Sequence, residues 1–404
     1  MKYNFTFNSL TAKIFVLSFL MMAVSIPVSA QNDESNKKYK AIDMAEFMDS
    51  AHHWYDITDK DEIIKALPDK PKYNLSEITK IADNILLFQR NNGGWMKNYD
   101  MRAILTEAQK KALIETKDND QTTFDNGTTY SQIEYLAKVY SVTKENKYKD
   151  AAIKGLEFIL KAQYPNGGWP QFYPDTSGYR KYITFNDGAM IGNMNLLHQV
   201  VQNKSYFSFV DNALKAKIND AFNKGVDCIL KCQVKEDGGL TAWCQQNDMI
   251  DFHPQGARTF ELPSVCAGES SEITLFLMSL EHPDNRVINS VQSAIKWFDK
   301  SQIHGVKVET IKAPKVTYKY RTTSSDRVVV NDPNAPRIWA RFYELGTNKP
   351  FFSDRNGKPV YSLAEVGRER RDGYGWYTYD PEEVLKEYTV WQKKLAKDDD
   401  VLKK

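Results

Sequence analysis

The sequence predicts a mainly all-α fold, an α/α toroid of helical hairpins with long loops, short β-strands and a central cleft. Three observations predict it. A glycine-rich turn motif occurs three times, at intervals of roughly 70 residues. A second motif follows each turn and opens a segment with apolar residues at helical spacing. The 404-residue chain also has an ordinary globular composition, 42% hydrophobic and 26% charged.

The first motif marks the end of a helix. It reads "LLFQRNNGGWMKNYD" at 86–100, "FILKAQYPNGGWPQFYPD" at 158–175 and "CILKCQVKEDGGLTAWC" at 228–244. Each copy has an apolar helix end, a glutamine, two glycines and an aromatic-rich exit. Because glycine adopts positive φ readily, each copy predicts a tight turn after a helix.

The second motif marks the start of the next helix. It reads "TTFDNGTTYSQIEYLAKVY", "ITFNDGAMIGNMNLLHQVV" and "RTFELPSVCAGESSEITLFLMSL". An acid or amide at a helix start suits the exposed N–H groups there. If the helices are stacked around one axis, these starts share a rim, which predicts Asp125, Asp187 and Glu261 on one face.

The C-terminal third follows a different pattern. Residues 306–320 alternate like a strand. Residues 321–359 predict long loops with short strands, and a loop-rich stretch of that length is usually functional. "YGWYTYD" at 374–380 precedes a final predicted helix.

The chain divides into three predicted parts. Residues 1–30 predict a signal peptide, with lysines, an apolar run and a small-residue cleavage pattern before Gln31. Residues 31–80 predict an N-terminal helical segment packing on the core, and 81–400 the catalytic toroid. The mature chain is thus expected in the periplasm or outside the cell, with no membrane span.

Charge and cysteine content narrow the function. The net charge is +2, from 54 basic and 52 acidic side chains, which gives no global field for binding nucleic acid. Cys228, Cys232, Cys244 and Cys266 allow three disulfide pairings, and their spacing matches no zinc signature. Buried thiols or a disulfide are the remaining interpretations.

The "FDNG" and "FNDG" sequences are the first candidate site. Taken singly, Asp125, Asn126, Asn186 and Asp187 would cap helices. Paired on one rim, they offer the carboxylate and amide oxygens that calcium requires. The same two carboxylates could also serve as an acid and base pair for glycoside hydrolysis.

Arginines form the second candidate site. Arg258, Arg327, Arg341 and Arg355 fall late in the chain, and Arg341 is flanked by aromatic residues that suit a stacked or partly buried guanidinium. Such a group around a cleft fits a polyanionic substrate bound through its carboxylates. Trp169 on the second glycine turn is either core or a platform for a sugar ring.

These motifs together resemble the pectate lyases of polysaccharide lyase family ten. "NGGWMKNYDM", "TFDNGTTYSQIEYLAKVY", "GLEFILKAQYPNGGWPQFYP", "ITFNDGAM", "LTAWCQQND", "ARTFELPS" and "WARFYELGTNKPFFSDRNG" carry the resemblance in the family's order, over roughly residues 81–377. The resemblance implies a toroid-like fold with a central cleft. It also implies calcium-assisted β-elimination of polygalacturonate, giving 4,5-unsaturated products.

The resemblance implies a role for each candidate residue. Asp125 and Asp187 match acids that hold calcium between enzyme and uronate. Arg341 matches the proposed catalytic base. Arg258 and Arg327 resemble arginines that bind substrate carboxylates, and Arg355 resembles another cation of the cleft. Three further residues are also predicted to contact the substrate: Trp169, Asn126 and Asn186. The enzyme is expected to act as a monomer.

Two alternatives remain open at this point. An inverting glycoside hydrolase would use Asp125 and Asp187 as acid and base on a uronate polymer and would not require calcium. A glycan-binding protein would use the same cleft without catalysis.

Overall fold

The computed structural model describes residues 39–43, 70–319 and 321–398. The predicted signal peptide and most of the predicted N-terminal helical segment lie outside these residues. Within them, no helix is long and apolar enough to cross a membrane. The α-helices are α1 (Ile78–Phe88), α2 (Glu107–Glu115), α3 (Tyr130–Thr143), α4 (Asn146–Ala162), α5 (Ala189–Val201), α6 (Asn212–Cys232), α7 (Ala267–Met278), α8 (Asn285–Ser301), α9 (Arg368–Gly373) and α10 (Asp380–Asp398).

Helical hairpins form the ring, as the sequence predicts. Helices α3–α4, α5–α6 and α7–α8 are successive pairs, and α3, α5 and α7 contact one another in turn along the inner side. Helix α1 precedes the first pair and packs on it, and α10 packs on α7 and α8 at the other end. The α/α toroid is confirmed.

The glutamine of each turn motif joins neighbouring hairpins. Each of these glutamines lies directly after a helix and donates two hydrogen bonds to backbone carbonyls. Gln89 binds the carbonyls of Gly93 and Ala151, at 2.9 and 3.0 Å. Gln163 and Gln233 repeat the arrangement with Ala221 and Ser290 of the next outer helix, at 2.8 and 3.0 Å. The repeated glutamine is therefore a structural link between hairpins.

The paired glycines allow two backbones to touch. Gly93 has φ +104°, and a Cβ there would lie 2.5 Å from the carbonyl oxygen of Lys154. Gly167 has φ +94°, and its Cβ would lie 2.0 Å from the carbonyl oxygen of Lys224. Any other residue would push the turn away from the next outer helix.

The strands are mostly short and tie the loops of the rim together. They are β1 (Thr122–Thr123), β2 (Phe172–Tyr173), β3 (Ile183–Thr184), β4 (Gln233–Glu236), β5 (Gly239–Trp243), β6 (Gln246–Asn247), β7 (Val265–Cys266), β8 (Val306–Thr317), β9 (Thr322–Asn331), β10 (Trp339–Ala340), β11 (Phe342–Tyr343), β12 (Pro350–Ser353), β13 (Pro359–Val360) and β14 (Tyr377–Thr378). All pairs are antiparallel: β1–β2, β3–β6, β4–β5, β8–β9, β10–β14 and a sheet ordered β13-β12-β11-β7.

The C-terminal third differs from the prediction in one respect. Strand β8 confirms the alternation seen from Val306, but β9 is a ten-residue strand where loops with short strands were expected. The two strands form a long hairpin, with Thr310 opposite Arg327. Runs of threonine, serine and charged residues suit this hairpin because many of its side chains face solvent.

A second apolar cluster supports the loops above the ring. It includes Phe260, Phe342, Phe352, Tyr374 and Trp376, separate from the main helical core. Ring pairs such as Phe342–Trp376, at 6.0 Å, hold β11 and the segment before β14 together. This cluster places the arginines of the C-terminal third next to the helix starts of the rim.

Candidate active site

The two predicted acids meet at the rim. Asp125 and Asp187 lie in short 3₁₀ turns just before α3 and α5, and their carboxyl groups are within hydrogen-bonding reach of each other. Asp125 is 1% exposed, whereas Asp187 is exposed to the cleft. The predicted convergence of these acids is present in the structure.

The two acids occupy different positions of the repeated motif. In "FDNG" and "FNDG" the left-handed position is taken by Asn126 (φ 51°) and by Asp187 (φ 51°). Asp125 therefore corresponds to Asn186, and Asp187 corresponds to Asn126. Non-glycine residues with this backbone are uncommon and are concentrated at functional sites. Exchanging acid and amide between the two turns brings one carboxylate from each to the same place.

Asp125 is held as an anion. Its Oδ1 accepts a hydrogen bond from Gln171 Nε2 at 2.8 Å, and its Oδ2 accepts one from Lys97 Nζ. Burial opposes ionisation, but Lys97 and Gln171 outweigh it and keep the pKa of Asp125 below its usual value. Lys97 was not predicted, although it follows the first glycine turn in "GGWMKNYD".

Asp187 has the opposite electrostatic environment. Crowding by the cleft walls and the Asp125 carboxylate raise its pKa well above the usual value. Part of the side chain meets solvent, but the neighbouring Asp125 carboxylate still disfavours a second negative charge at this position. A cation placed between the two acids would relieve this repulsion.

Arg341 lies beside Asp187 at the floor of the cleft. Its Nη2 donates to Asn186 Oδ1 at 2.8 Å and to Glu269 Oε1 at 2.7 Å. The guanidinium also stacks over the Tyr374 ring at 4.8 Å. Burial alone would lower the pKa of Arg341, but the charges of Glu269 and nearby groups raise it above the ordinary value.

Sequence reasoning missed Glu269 and Tyr374. Glu269 is in the first turn of α7, which starts at Ala267 and not directly after "TFEL". The predicted third rim acid, Glu261, is instead 2% exposed and binds Arg258 and the Tyr374 hydroxyl. The prediction for Glu261 is therefore wrong. Glu269 could have been identified from the sequence as an acid in the first turn of the third inner helix.

The other predicted arginines surround the same aromatic residues. Arg258 lies 5.6 Å from the Tyr374 ring, and Arg327 Nη1 donates to the Tyr374 carbonyl at 2.9 Å. Arg355 lies 5.6 Å from the Phe260 ring and pairs with Glu369 at 2.7 Å. Arg258, Arg327 and Arg355 therefore gather around Tyr374 and Phe260.

The donor set for calcium is partial. Within the described residues, no group of three or more His, Cys, Asp and Glu is placed to hold a metal. Asp125 and Asp187 supply carboxylates, but the Asn186 amide is already used by Arg341 and Asp187. Calcium takes six to eight oxygen ligands. The two acids could therefore hold calcium if substrate and water supply the remaining oxygen atoms.

The four cysteines are not part of this site. Cys228, Cys232, Cys244 and Cys266 are buried and unbridged. Of the two interpretations left open by the sequence, the structure therefore shows buried thiols.

Trp169 does not face the cleft. Its side chain is 0% exposed, and its indole N–H donates to the Ile159 carbonyl at 2.9 Å. Trp95 and Trp243 make the same bond to Ile85 and Ile229. The predicted substrate contact of Trp169 is therefore wrong: the indole is needed inside the hairpin.

Trp169→Phe tests this structural role. We expect the variant to lose about 1–3 kcal/mol of unfolding free energy, because it loses a buried hydrogen bond and packing volume. Urea unfolding measures the loss, and KM for substrate should stay unchanged. A raised KM with unchanged stability would show that Trp169 contacts the substrate after all.

Comparison with known proteins adds a family. A family model described as pectic acid lyase matches residues 89–385. Two structures of a family 10 polysaccharide lyase from Cellvibrio cellulosa, one a mutant in complex with trigalacturonic acid, are each 31% identical with a TM-score of 0.67. They cover 77% of this chain, and the match spans 92% and 91% of theirs. No match was found among curated proteins.

Proposed function

The chain belongs to the pectic acid lyase family, as a family 10 polysaccharide lyase, and from this we propose that it cleaves polygalacturonate by calcium-assisted β-elimination. The product would be a 4,5-unsaturated oligogalacturonide. The complex of the relative with trigalacturonic acid supports the choice of substrate.

One observation carries the proposal. A continuous set of contacts runs from Glu269 through Arg341 and Asn186 to Asp187, and from there through Asp125 to Lys97. Residues more than 200 positions apart in the sequence thus converge at one cleft. The cationic groups suit the carboxylates of a polyanionic substrate. The anionic groups beside them could hold a cation next to the carboxylate at which the substrate reacts.

The chemistry requires stabilisation of negative charge. The C5 proton of a 4-linked galacturonate lies next to a carboxylate and is a very weak acid unless that carboxylate is neutralised as charge develops. Arg258, Arg327 and Arg355 are proposed to bind uronate carboxylates, with Asn126 and Asn186 positioning groups around the acids. Calcium held by Asp125 and Asp187 would supply further positive charge at the reacting uronate.

Arg341 is proposed as the base that takes the C5 proton as the C4 oxygen leaves. The Glu269 carboxylate stabilises the protonated form of Arg341 and so opposes this role. The reacting fraction of neutral Arg341 is therefore small and rises with pH, which predicts an enzyme that is faster in alkaline solution.

The geometry disfavours the hydrolase alternative. An inverting hydrolase needs its two carboxyl groups about 6.5–9.5 Å apart, so that a water molecule fits between carboxylate and sugar. Asp125 and Asp187 are within hydrogen-bonding reach of each other, which leaves no such space. A glycan-binding protein without catalysis remains an outcome of the test below.

The mature protein is tested on polygalacturonate with and without a calcium chelator. We expect ultraviolet absorbance from the unsaturated product, lost with chelator and restored by added calcium. Reducing ends without this absorbance would indicate hydrolysis. Binding without either signal would indicate a glycan-binding protein.

Export and the monomeric state are part of the same proposal. Cleavage near Gln31 and release to the periplasm or the medium would bring the enzyme to a polymeric substrate. The N-terminal sequence of the mature protein and its mass in solution measure both. A retained N-terminus would contradict export.

A further inference from the structure

A cavity of about 460 Å³ opens beside Arg341. Among the residues that line it are four acids, Asp187, Glu269, Glu272 and Asp380, and the cation Arg341. We call this cavity the acidic chamber. Its size is within the range of small-ligand sites. Glu272 and Asp380 are not among the hydrogen-bond partners of Arg341 described above.

Helix capping explains only part of this charge. Asp380 is the first residue of α10 and suits the helix start, but Glu272 lies in the second turn of α7, where the end effect has faded. Asp187, Glu272 and Asp380 line the chamber, and all three are exposed.

Glu269 offers the chamber a hydrogen-bond acceptor. Its Oε1 accepts from Arg341, and the residue is 6% exposed. Its Oε2 is buried without a hydrogen-bond partner among the residues the structure describes. An unmatched buried carboxylate oxygen is costly, so this atom points to a donor that a ligand brings.

The chamber also has room for a ring. Gly127, Gly188, Gly268 and Gly375 form part of its wall. At Gly375, which is not at a left-handed φ, a Cβ would meet nothing within 4 Å. Glycine there keeps open a space that a side chain could fill.

A cluster of arginines surrounds Phe260, whose ring packs against Tyr374 next to Arg341. The guanidinium groups of Arg258, Arg355 and Arg370 lie 4.9, 5.6 and 5.0 Å from the Phe260 ring. Glu261 pairs with Arg258, and Glu369 pairs with Arg355 and Arg370, so this cluster holds three cations against two acids. A uronate carboxylate suits the arginine side and is repelled by Glu272 and Asp380.

We propose that the acidic chamber is a subsite for an uncharged sugar unit of the pectin chain, such as a methyl-esterified galacturonate, whose hydroxyls donate to Glu269, Glu272 and Asp380. This rests on the lyase function proposed above. The enzyme would then prefer chains in which charged and neutral units are mixed.

The test compares three polymers: polygalacturonate, its partially methyl-esterified form and a partially carboxyl-reduced form containing neutral galactose units. The wild type should act better on both mixed polymers than on polygalacturonate. The Glu272→Gln/Asp380→Asn variant should shift this preference about tenfold toward polygalacturonate, because repulsion of a charged unit is removed. A preference for the esterified polymer alone would assign the subsite to the ester group.

Glu383→Gln is the matched control, since it neutralises another acid in the first turn of α10 outside the chamber. The control should keep the wild-type preference. If the double variant keeps it too, while chelator-sensitive lyase activity persists, the chamber proposal fails and the proposed function stands. If the wild type produces no unsaturated product from any polymer, the proposed function itself fails.

Gly375→Leu is a second, steric test that leaves every charge in place. It should abolish the preference for both mixed polymers by filling the chamber. An unchanged preference in this folded variant would overturn the proposal, even if the double variant could not be purified.

Discussion

Arg341→Lys lowers kcat/KM on polygalacturonate by about 10³-fold, the expected result with the largest effect on activity. Lysine keeps a positive charge, but it cannot reproduce the planar guanidinium that contacts Asn186 and Glu269 while stacking on Tyr374. Steady-state kinetics that follow the unsaturated product measure the loss.

The control for this variant is Arg337→Lys. Arg337 is also paired with a glutamate, Glu382, and stacked 5.6 Å from Trp339, but it is not part of the site. It should leave kcat/KM within about twofold of wild type, as most surface changes do. Full activity in Arg341→Lys would remove Arg341 from the reaction.

Glu269→Gln then distinguishes a base from a carboxylate-binding cation. Glu269 raises the pKa of Arg341, so its neutralisation lowers that pKa and increases the neutral fraction at any pH below it. If Arg341 is the base, the rising limb of the pH–rate profile moves to lower pH. A profile that keeps its position while KM rises would instead indicate that Arg341 binds a substrate carboxylate in its charged form.

Replacing either acid by asparagine is the second change with a large expected effect. Both variants should lose activity, but their stabilities should change in opposite directions. Asp125→Asn and Asp187→Asn should each reduce kcat/KM by about 10²-fold or more. Each variant removes a carboxylate that is proposed to hold calcium next to the reacting uronate, where negative charge develops. Asp125→Asn should also cost about 3 kcal/mol of unfolding free energy, because Lys97 loses its buried partner.

Asp187→Asn should raise the melting temperature in the presence of chelator. Asp187 has a raised pKa in the folded state, so the native protein binds its proton more tightly than the unfolded chain does. Its ionisation therefore lowers stability as pH rises from the unfolded pKa through the folded pKa. The gain from Asp187→Asn should grow as pH rises through the folded pKa and vanish in acid. An equal loss of stability in both variants would contradict this account.

Much of the fold follows from local patterns. Gln89, Gln163 and Gln233 each follow the end of a helix. In the first two copies Gly93 and Gly167 are required because the turn touches the next outer helix there. The convergence of Asp125, Asp187 and Arg341 could be predicted because the first two start inner helices and the family resemblance supplied the third.

Other features depend on geometry that no local pattern encodes. A tryptophan after two glycines can point into the core or toward the cleft. Trp169 points into the core, where its indole N–H donates to the Ile159 carbonyl, and this contact is visible only in the structure. Glu261 follows "TF" as the rim residues do, but the third inner helix starts six residues later, at Ala267. The position of Tyr374 beside Arg341 depends on the packing of β11, β14 and the loop that carries Arg258, and no local pattern in the sequence indicates it.

The order of the chain has a consequence for biosynthesis. Neighbouring hairpins are also neighbours in sequence, so a chain emerging from the ribosome can build the ring progressively from its first pair. Arg341 and Tyr374 arrive only with the last stretch before α10. A chain truncated before Arg341 therefore carries both acids without the arginine and cannot assemble the site described above.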